Sequence, residues 1–138
     1  MNTDPLRSYR QTRVKTASQG QLIVMLYDEG LRQISTAENQ LGSGQPKLDL
    51  AHNAIVKAQD IITELMVSLD FEKGGRIAQN LFHLYMYFNQ RLVDANLSKD
   101  IAGLKEVHRL MSELRDAWAT IENTEAQHEQ IAGVDLAG

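Results

Sequence analysis

The apolar residues of this chain recur at alternating intervals of three and four, which is the spacing of one face of an α-helix. The clearest stripe is Leu48, Ala51, Ile55, Ala58, Ile62, Leu65 and Leu69. Three further stripes of this kind begin at Ile23, Ile77 and Leu104. A half-buried strand would alternate with a period of two, and no such segment stands out. The pattern therefore predicts four helices and an all-α fold.

Capping residues and glycines set the expected helix limits. Ser18 with Gln21, or Thr16 with Gln19, matches a capping box at the start of the first helix. Gly42 suits the end of this helix, and Ser98 or Asp100 suits the start of the fourth. We expect helices over residues 18–41, 46–70, from after the glycines at 74–75 to about 96, and 99–124. Because the connections are short, neighbouring helices must run antiparallel, so we expect an up-down four-helix bundle over 18–124, with an N-terminal arm (1–17) and a flexible tail (125–138).

Composition and charge exclude several classes of function. The 138 residues suffice for one domain, and they include no cysteine, which excludes disulfides, thiolate metal sites and cysteine nucleophiles. The net charge of −4 does not favour binding to nucleic acid. The longest apolar run, 22–27, is too short to cross a bilayer, and the first twenty residues lack the apolar core of a secretory signal. We expect a cytoplasmic protein that does not insert into membranes.

The residues that could carry chemistry are few and scattered. Di-iron bundles need two Glu-x-x-His pairs, and the chain has one such pair, Glu125 with His128. His52, His83 and His108 lie one to a helix, so histidine phosphotransfer stays open as an alternative, as does a generic helical adaptor. No serine has the context of a catalytic nucleophile. We therefore expect no metal, no cofactor and no enzymatic activity.

The most informative feature of the predicted helices is that two of them carry more apolar residues than one buried face needs. The first helix has six consecutive apolar residues, and the second has Leu50, Ile61, Met66 and Val67 beyond its stripe. Packing against two neighbours can account for any one of these residues. The alternative is an exposed groove that receives a partner helix. The N-terminal arm could cover such a groove, since Leu6 and Tyr9 have helical spacing. Residues 1–15 also carry a net charge of +3, opposite in sign to the −7 of the rest of the chain.

Several short strings of residues stand in a fixed order over residues 9–120. The first are Tyr9, then Thr16-Ala17-Ser18, then LIVMLYD over residues 22–28. The later ones are Ala58-Gln59-Asp60-Ile61-Ile62, Glu64-Leu65, Ser68-Leu69-Asp70, Gly75, Asn80-Leu81, Leu84-Tyr85, Arg91-Leu92, Ala95-Asn96, Leu114-Arg115 and Ala117-Trp118. In this order and spacing, the strings together resemble the FliS family of flagellar secretion chaperones. The sequence departs from the family at Glu29 and Gly30, where glycine followed by alanine is commoner, and this change could bend or loosen the first helix.

The resemblance implies a cytoplasmic chaperone that binds the disordered C-terminal segment of flagellin and prevents its premature polymerisation. It also implies delivery to the membrane protein of the flagellar type III export gate, and binding to an anti-sigma factor as a further role. As a hypothesis, Leu6 and Tyr9 carry the arm, whereas Trp118 belongs to the core. The hypothesis assigns the groove to apolar residues of helices two to four, among them Ile55, Ile61, Ile62, Leu65 and Tyr85.

Overall fold

The computed structural model describes residues 18–137, and in this range the chain forms four α-helices and no strand. They are α1 (Gln19–Leu41), α2 (Leu48–Val67), α3 (Phe71–Ser98) and α4 (Ile101–Ala137). The predicted all-α fold is confirmed. The predicted arm, 1–17, lies outside the described residues. Over the described part of the chain, no helix is both long and apolar enough to cross a membrane.

The helices pack as an antiparallel bundle. Helix α1 packs against α2 and α4, and α3 packs against the same two helices. Two contacts show the direction of α4 relative to α1. Ser18 donates a hydrogen bond to Glu122 (2.6 Å), whereas Ser35 is bonded to His108 (3.1 Å), so the residue number falls along α4 as it rises along α1. This arrangement confirms the predicted four-helix bundle.

The ends of α1 and α4 show how capping sets the helix limits. At the start of α1, the Ser18 hydroxyl accepts from the Gln21 amide (3.1 Å) and the Gln21 side chain accepts from the Ser18 amide (3.0 Å), which confirms the capping box. Asp100 accepts from the Ala102 amide at the start of α4 (3.0 Å). The predicted end of the fourth helix at 124 is wrong, because α4 continues to Ala137. No proline follows residue 124 to stop it.

The connection between α2 and α3 also differs from the prediction. Helix α2 begins at Leu48 and ends at Val67, so it is shorter than the predicted 46–70. Helix α3 begins before the glycines, because the Asp70 carboxylate accepts hydrogen bonds from the Glu72 (3.1 Å) and Lys73 (3.0 Å) amides. The break falls inside the element instead, at Gly75, whose φ of +49° and ψ of −123° kink the helix.

All four helices contribute large side chains to one core. The most deeply buried are Tyr27, Ile34, Ile55, Ile61, Ile62, Leu65, Tyr85, Phe88, Leu92, Leu104, Val107 and Met111. Gly30 sits among them at a point of close approach. A Cβ atom there would lie 3.1 Å from the Met111 Cε and 3.3 Å from the Ile61 Cγ2. Helix α1 is unbroken at this position, so Gly30 brings α1 close to α2 and α4 without interrupting it.

Candidate partner-binding surface

The residues expected to line an exposed groove are in the core. Ile55, Ile61, Ile62, Leu65 and Tyr85 are each at most 1% exposed. Their stripes point to the bundle axis, where two neighbouring helices cover them from both sides. The expectation of an exposed groove built from these five side chains is therefore corrected. Leu6 and Tyr9, the two arm residues, lie outside the described part of the chain.

An exposed apolar surface does exist on α2 and α3, on the flanks of the core stripes. Helix α3 exposes Met86 (50%), Val93 (38%) and Leu97 (82%), and Phe82 on the same flank is half-buried. Helix α2 exposes Leu48 and Val56. The sequence analysis assigned the groove to helices two to four, and the five residues it named there lie on the buried faces of α2 and α3 rather than on these exposed flanks.

A hydrogen bond between the two helices fixes the register of this surface. The Asn96 amide of α3 lies 2.9 Å from the His52 Nδ1 of α2. Because the helices run antiparallel, a step of four residues forward on α2 matches a step of four backward on α3. This register puts Val56 level with Leu92, the neighbour of Val93, and puts Leu48 level with Asp100, just beyond the end of α3. The exposed side chains of the two helices thus border one groove.

We call this surface the α2–α3 groove and define it by four residues on each helix. These are Leu48, His52, Val56 and Gln59 of α2, and Phe82, Met86, Val93 and Leu97 of α3. None of them is Asp, Glu, Lys or Arg. Protein surfaces that stay in water are rarely so poor in charge over several helical turns, and interface centres are depleted of charge and enriched in aromatic residues and Met. From Phe82 to Leu97 the groove is about 22 Å long, enough for roughly four turns of a docked helix.

A separate cavity of about 630 Å³ opens at the end of the bundle where α1 begins. Gln19 and Gly20 lie at its rim, together with Asp70 and Glu122. Its apolar lining comes from all four helices and includes Ile23, Leu65, Leu69, Ile77, Leu81, Tyr85, Trp118 and Ile121. Leu65 and Tyr85 are thus the two predicted groove residues that reach a cavity wall. The first residue of the described chain, Ser18, is directly bonded to the rim at Glu122.

Tyr85 and Trp118, the only tryptophan of the chain, line this cavity, and Tyr27 is bonded to Tyr85 in the core. The hydroxyl oxygens of Tyr27 and Tyr85 are 2.5 Å apart in the core. Burial raises the pKa of both phenols, so both stay protonated at neutral pH and one donates to the other. Trp118, expected in the core, is only partly buried and lines the cavity on the α4 side.

The three histidines considered as candidates for phosphotransfer each contact a neighbouring side chain. His52 is bonded to Asn96 and His108 to Ser35, in both cases between helices. His83 is exposed and its ring lies edge-on to Phe82, with the ring centres 5.8 Å apart. Among the side chains that the structure describes, no three His, Asp or Glu residues converge on a point that could hold a metal. The side chains of Glu125 and His128 lie outside that part.

Comparison with known proteins gives a consistent set of relatives. The family model described as "Flagellar protein FliS" matches residues 2–125. The chain is similar to the flagellar secretion chaperone FliS of Escherichia coli (strain K12), with 38% identity over 78% of this chain and 79% of the relative. It is 38% identical to FliS of Salmonella typhimurium, over 84% of this chain and 88% of the relative. FliS of Bacillus subtilis is 32% identical over 83% and 84%.

Proposed function

Since the chain belongs to the FliS family of flagellar export chaperones, we propose that it binds the disordered C-terminal segment of flagellin in the bacterial cytoplasm. Binding would prevent premature polymerisation and keep the client ready for delivery to the type III export gate. The relatives are named as secretion chaperones, which makes the family non-enzymatic. The resemblance noted above adds two proposed partners, the cytoplasmic domain of the export-gate membrane protein and an anti-sigma factor.

The α2–α3 groove is the observation that carries this proposal. Its exposed side chains, among them Met86, Val93 and Leu97, offer a path without charges along two helices. A disordered segment with apolar residues at helical spacing can fold onto such a path and bury one face. Part of the contact energy is spent on ordering the client, so the affinity stays moderate for its contact area and the client can be released again. Release is what a delivery role requires.

The cavity supports a place for the N-terminal arm. The arm precedes Ser18, which is bonded to the rim residue Glu122. Residues 1–15 carry a charge of +3, and the rim carries a net negative charge, from the carboxylates of Asp70 and Glu122 against the ammonium of Lys73. We place Leu6 and Tyr9 of the arm in this cavity, against Leu65 and Tyr85. Client binding would displace them.

The remaining predicted groove residues have a supporting part in this proposal. Ile55, Ile61 and Ile62 are buried in α2, on the side of the helix that faces the bundle axis. They hold α2 in position, so that Val56 and its neighbours border the groove. A change at these residues would therefore alter client binding through the position of α2 rather than through a direct contact.

Isothermal titration with the C-terminal segment of flagellin from the same organism tests the proposal. We expect saturable one-to-one binding with a negative heat-capacity change, the signature of apolar surface buried on coupled folding. Val93→Glu places a carboxylate in the middle of the groove and should weaken binding at least tenfold. Leu50→Glu is the matched control, because Leu50 is 41% exposed on α2 but lies about 120° around the helix from Val56, outside both the groove and the cavity.

The result that contradicts the proposal is equally specific. If neither the wild type nor a variant without residues 1–17 binds the flagellin segment, the function does not lie in client capture. The histidine phosphotransfer and generic adaptor alternatives would then have to be tested, the first by an assay for acid-labile phosphate.

A further inference from the structure

Of the eight residues that define the α2–α3 groove, His52 alone has a side chain that can gain a charge near neutral pH. The other seven are aliphatic, Phe, Met or Gln. His52 is exposed on α2, one turn before Val56. Imidazoles take up a proton between about pH 8 and pH 5. The path along the groove is therefore free of charge only while this ring is neutral.

A chain of hydrogen bonds at the end of the groove fixes the protonation state of this ring. The Lys99 ammonium, which can only donate, donates to the side-chain oxygen of Asn96. The amide nitrogen of Asn96 therefore points the other way, to the Nδ1 of His52 at 2.9 Å. Because this NH2 group donates, Nδ1 must offer a lone pair. The ring is thus neutral and holds its proton on Nε2.

Protonation of His52 breaks this chain. An imidazolium donates from both ring nitrogens, so Nδ1 would meet the NH2 group of Asn96, donor against donor. Turning the amide over does not repair the chain, because the NH2 group would then meet the ammonium of Lys99. The bond between Asn96 and His52 joins α3 to α2 and fixes their register. Its loss therefore loosens this end of the groove.

The surroundings of the ring change when the groove is filled. Charged groups of both signs lie around it in the free protein, with Asp49 one turn before it on α2 and with Lys99 and Asp100 at the end of α3. Helix α1 brings Glu29 close to Lys57, about 140° around α2 from the ring. Water and the two nearby carboxylates can stabilise an imidazolium there. Apolar side chains laid over the ring exclude that water and disfavour the charged form.

We propose that His52 is a proton-sensitive site that controls client capture. The groove binds its client while the ring is neutral and releases it when the ring is protonated. Asn96 is a positioning residue that presents its NH2 group to the neutral ring. This inference rests on the proposed function, because the client and the proton compete for the same groove. Affinity is therefore highest above the pH range in which an imidazole titrates, and it falls as the pH drops through that range.

Isothermal titration of the full chain with the C-terminal flagellin segment at pH 7.5 and at pH 5.5 tests the proposal. An imidazole with the usual pKa near 6.5 that must be neutral in the complex weakens binding roughly tenfold between these two conditions. We expect a five- to tenfold loss for the wild type. In His52→Gln the side-chain oxygen still accepts from Asn96 and takes up no proton, so the loss should be less than twofold.

Two further variants separate His52 from the other titrating groups. His108→Gln changes a histidine that is bonded to Ser35 between α4 and α1, and it should keep the pH dependence of the wild type. His52→Lys carries a fixed charge and should bind at pH 7.5 as weakly as the wild type at pH 5.5. Groups of the flagellin segment titrate equally in every experiment, so the difference between the wild type and His52→Gln belongs to His52. Circular dichroism would show that each variant is folded.

The same titrations separate the failure of this inference from the failure of the proposed function. If flagellin binds but His52→Gln shows the same pH dependence as the wild type, the inference is wrong and the chaperone function stands. Tight binding by His52→Lys at pH 7.5 has the same meaning. If no flagellin binds at either pH, the proposed function fails and the control of capture fails with it. Nitrogen-15 NMR of the free protein then judges the bond to Asn96 alone: we expect the proton on Nε2 at pH 7.5, and a proton on Nδ1 would overturn it.

Discussion

The hydroxyl oxygens of Tyr27 on α1 and Tyr85 on α3 lie 2.5 Å apart, across the diagonal of the bundle. Helices α1 and α3 are not neighbours in the bundle, so this hydrogen bond joins two elements that otherwise meet only in the core. Burial raises the pKa of both phenols, so both stay protonated. Because both side chains are buried, water could replace a lost partner hydroxyl only if the core opened. The pair is therefore a polar link in an apolar interior and depends on both partners.

We expect Tyr27→Phe and Tyr85→Phe each to lower the free energy of unfolding by about 1–2 kcal/mol, because each leaves the other hydroxyl short of a partner. The double variant should cost less than the sum of the two single changes, since it removes both polar groups together. Urea unfolding followed by circular dichroism measures all three variants. Additive costs would show that the two hydroxyls do not depend on each other.

Gly30 provides a test of the packing of α1 against its neighbours. A Cβ there would lie 3.1 Å from Met111 and 3.3 Å from Ile61, so Gly30→Val overfills the core and should cost about 1–3 kcal/mol. The matched control is Gly44→Val, because a Cβ at Gly44 has no atom within 4 Å. The thermal midpoint of the control should stay close to the wild-type value. Equal losses for both variants would contradict the close approach at Gly30.

A substitution at Gly75 tests whether the kink in α3 requires glycine. Its φ of +49° and ψ of −123° are strained for any residue with a Cβ, although space is open around it. Gly75→Ala should therefore cost about 1–3 kcal/mol through the backbone alone. Gly44→Ala serves as the control, since it adds the same atom in open space without a positive φ.

The effect of Gly75→Ala should also be local. The turn before the kink carries Asp70, Lys73 and Gly74 to the cavity rim. Hydrogen exchange should show faster opening of residues 71–74 in the variant and little change in α2. Unchanged stability together with unchanged exchange would mean that the kink does not require glycine.

The extent to which the sequence predicted this structure differs between the core and the surface. The 3–4 spacing from Ala51 to Leu65 identified the buried face of α2, because that spacing follows directly from helix geometry. The same spacing cannot show which flank a neighbour leaves open. Whether Val56 is covered depends on the distance between α2 and α3, and this distance is set by contacts along the whole interface. Ile55 and Tyr85, two of the five predicted groove residues, therefore each precede an exposed groove residue, Val56 and Met86, by one position.

The helix ends show a similar limit. Gly74 and Gly75 are strong breakers in sequence terms, but the Asp70 carboxylate satisfies two amides and starts α3 before them. The helix therefore runs through both glycines, with a kink at Gly75. The capping box at Ser18 was predicted correctly because both of its partners lie within three residues of each other. Local interactions could be predicted from the chain, whereas competition between a cap and a breaker could not.

Trp118 offers a direct test of the arm proposed for the cavity. It is the only tryptophan of the chain and lines the cavity, so its emission reports whether the cavity holds water or apolar side chains. If Tyr9 packs there, Tyr9→Ala should shift the emission to longer wavelength and raise the accessibility to acrylamide. Ala has no ring to exclude water, whereas Tyr9→Phe keeps the ring and should leave the spectrum unchanged.

The same variant separates a displaceable arm from a structural one. A displaceable arm contributes little to the bundle, so Tyr9→Ala should leave the thermal midpoint nearly unchanged and tighten client binding, because less has to be displaced. Trp118→Ala should instead cost stability, though less than the roughly 3–5 kcal/mol of a fully buried Trp, since this side chain is only partly buried. A large fall in the thermal midpoint of Tyr9→Ala, or an unchanged Trp118 spectrum in that variant, would show that Tyr9 does not act as a displaceable cover of this cavity.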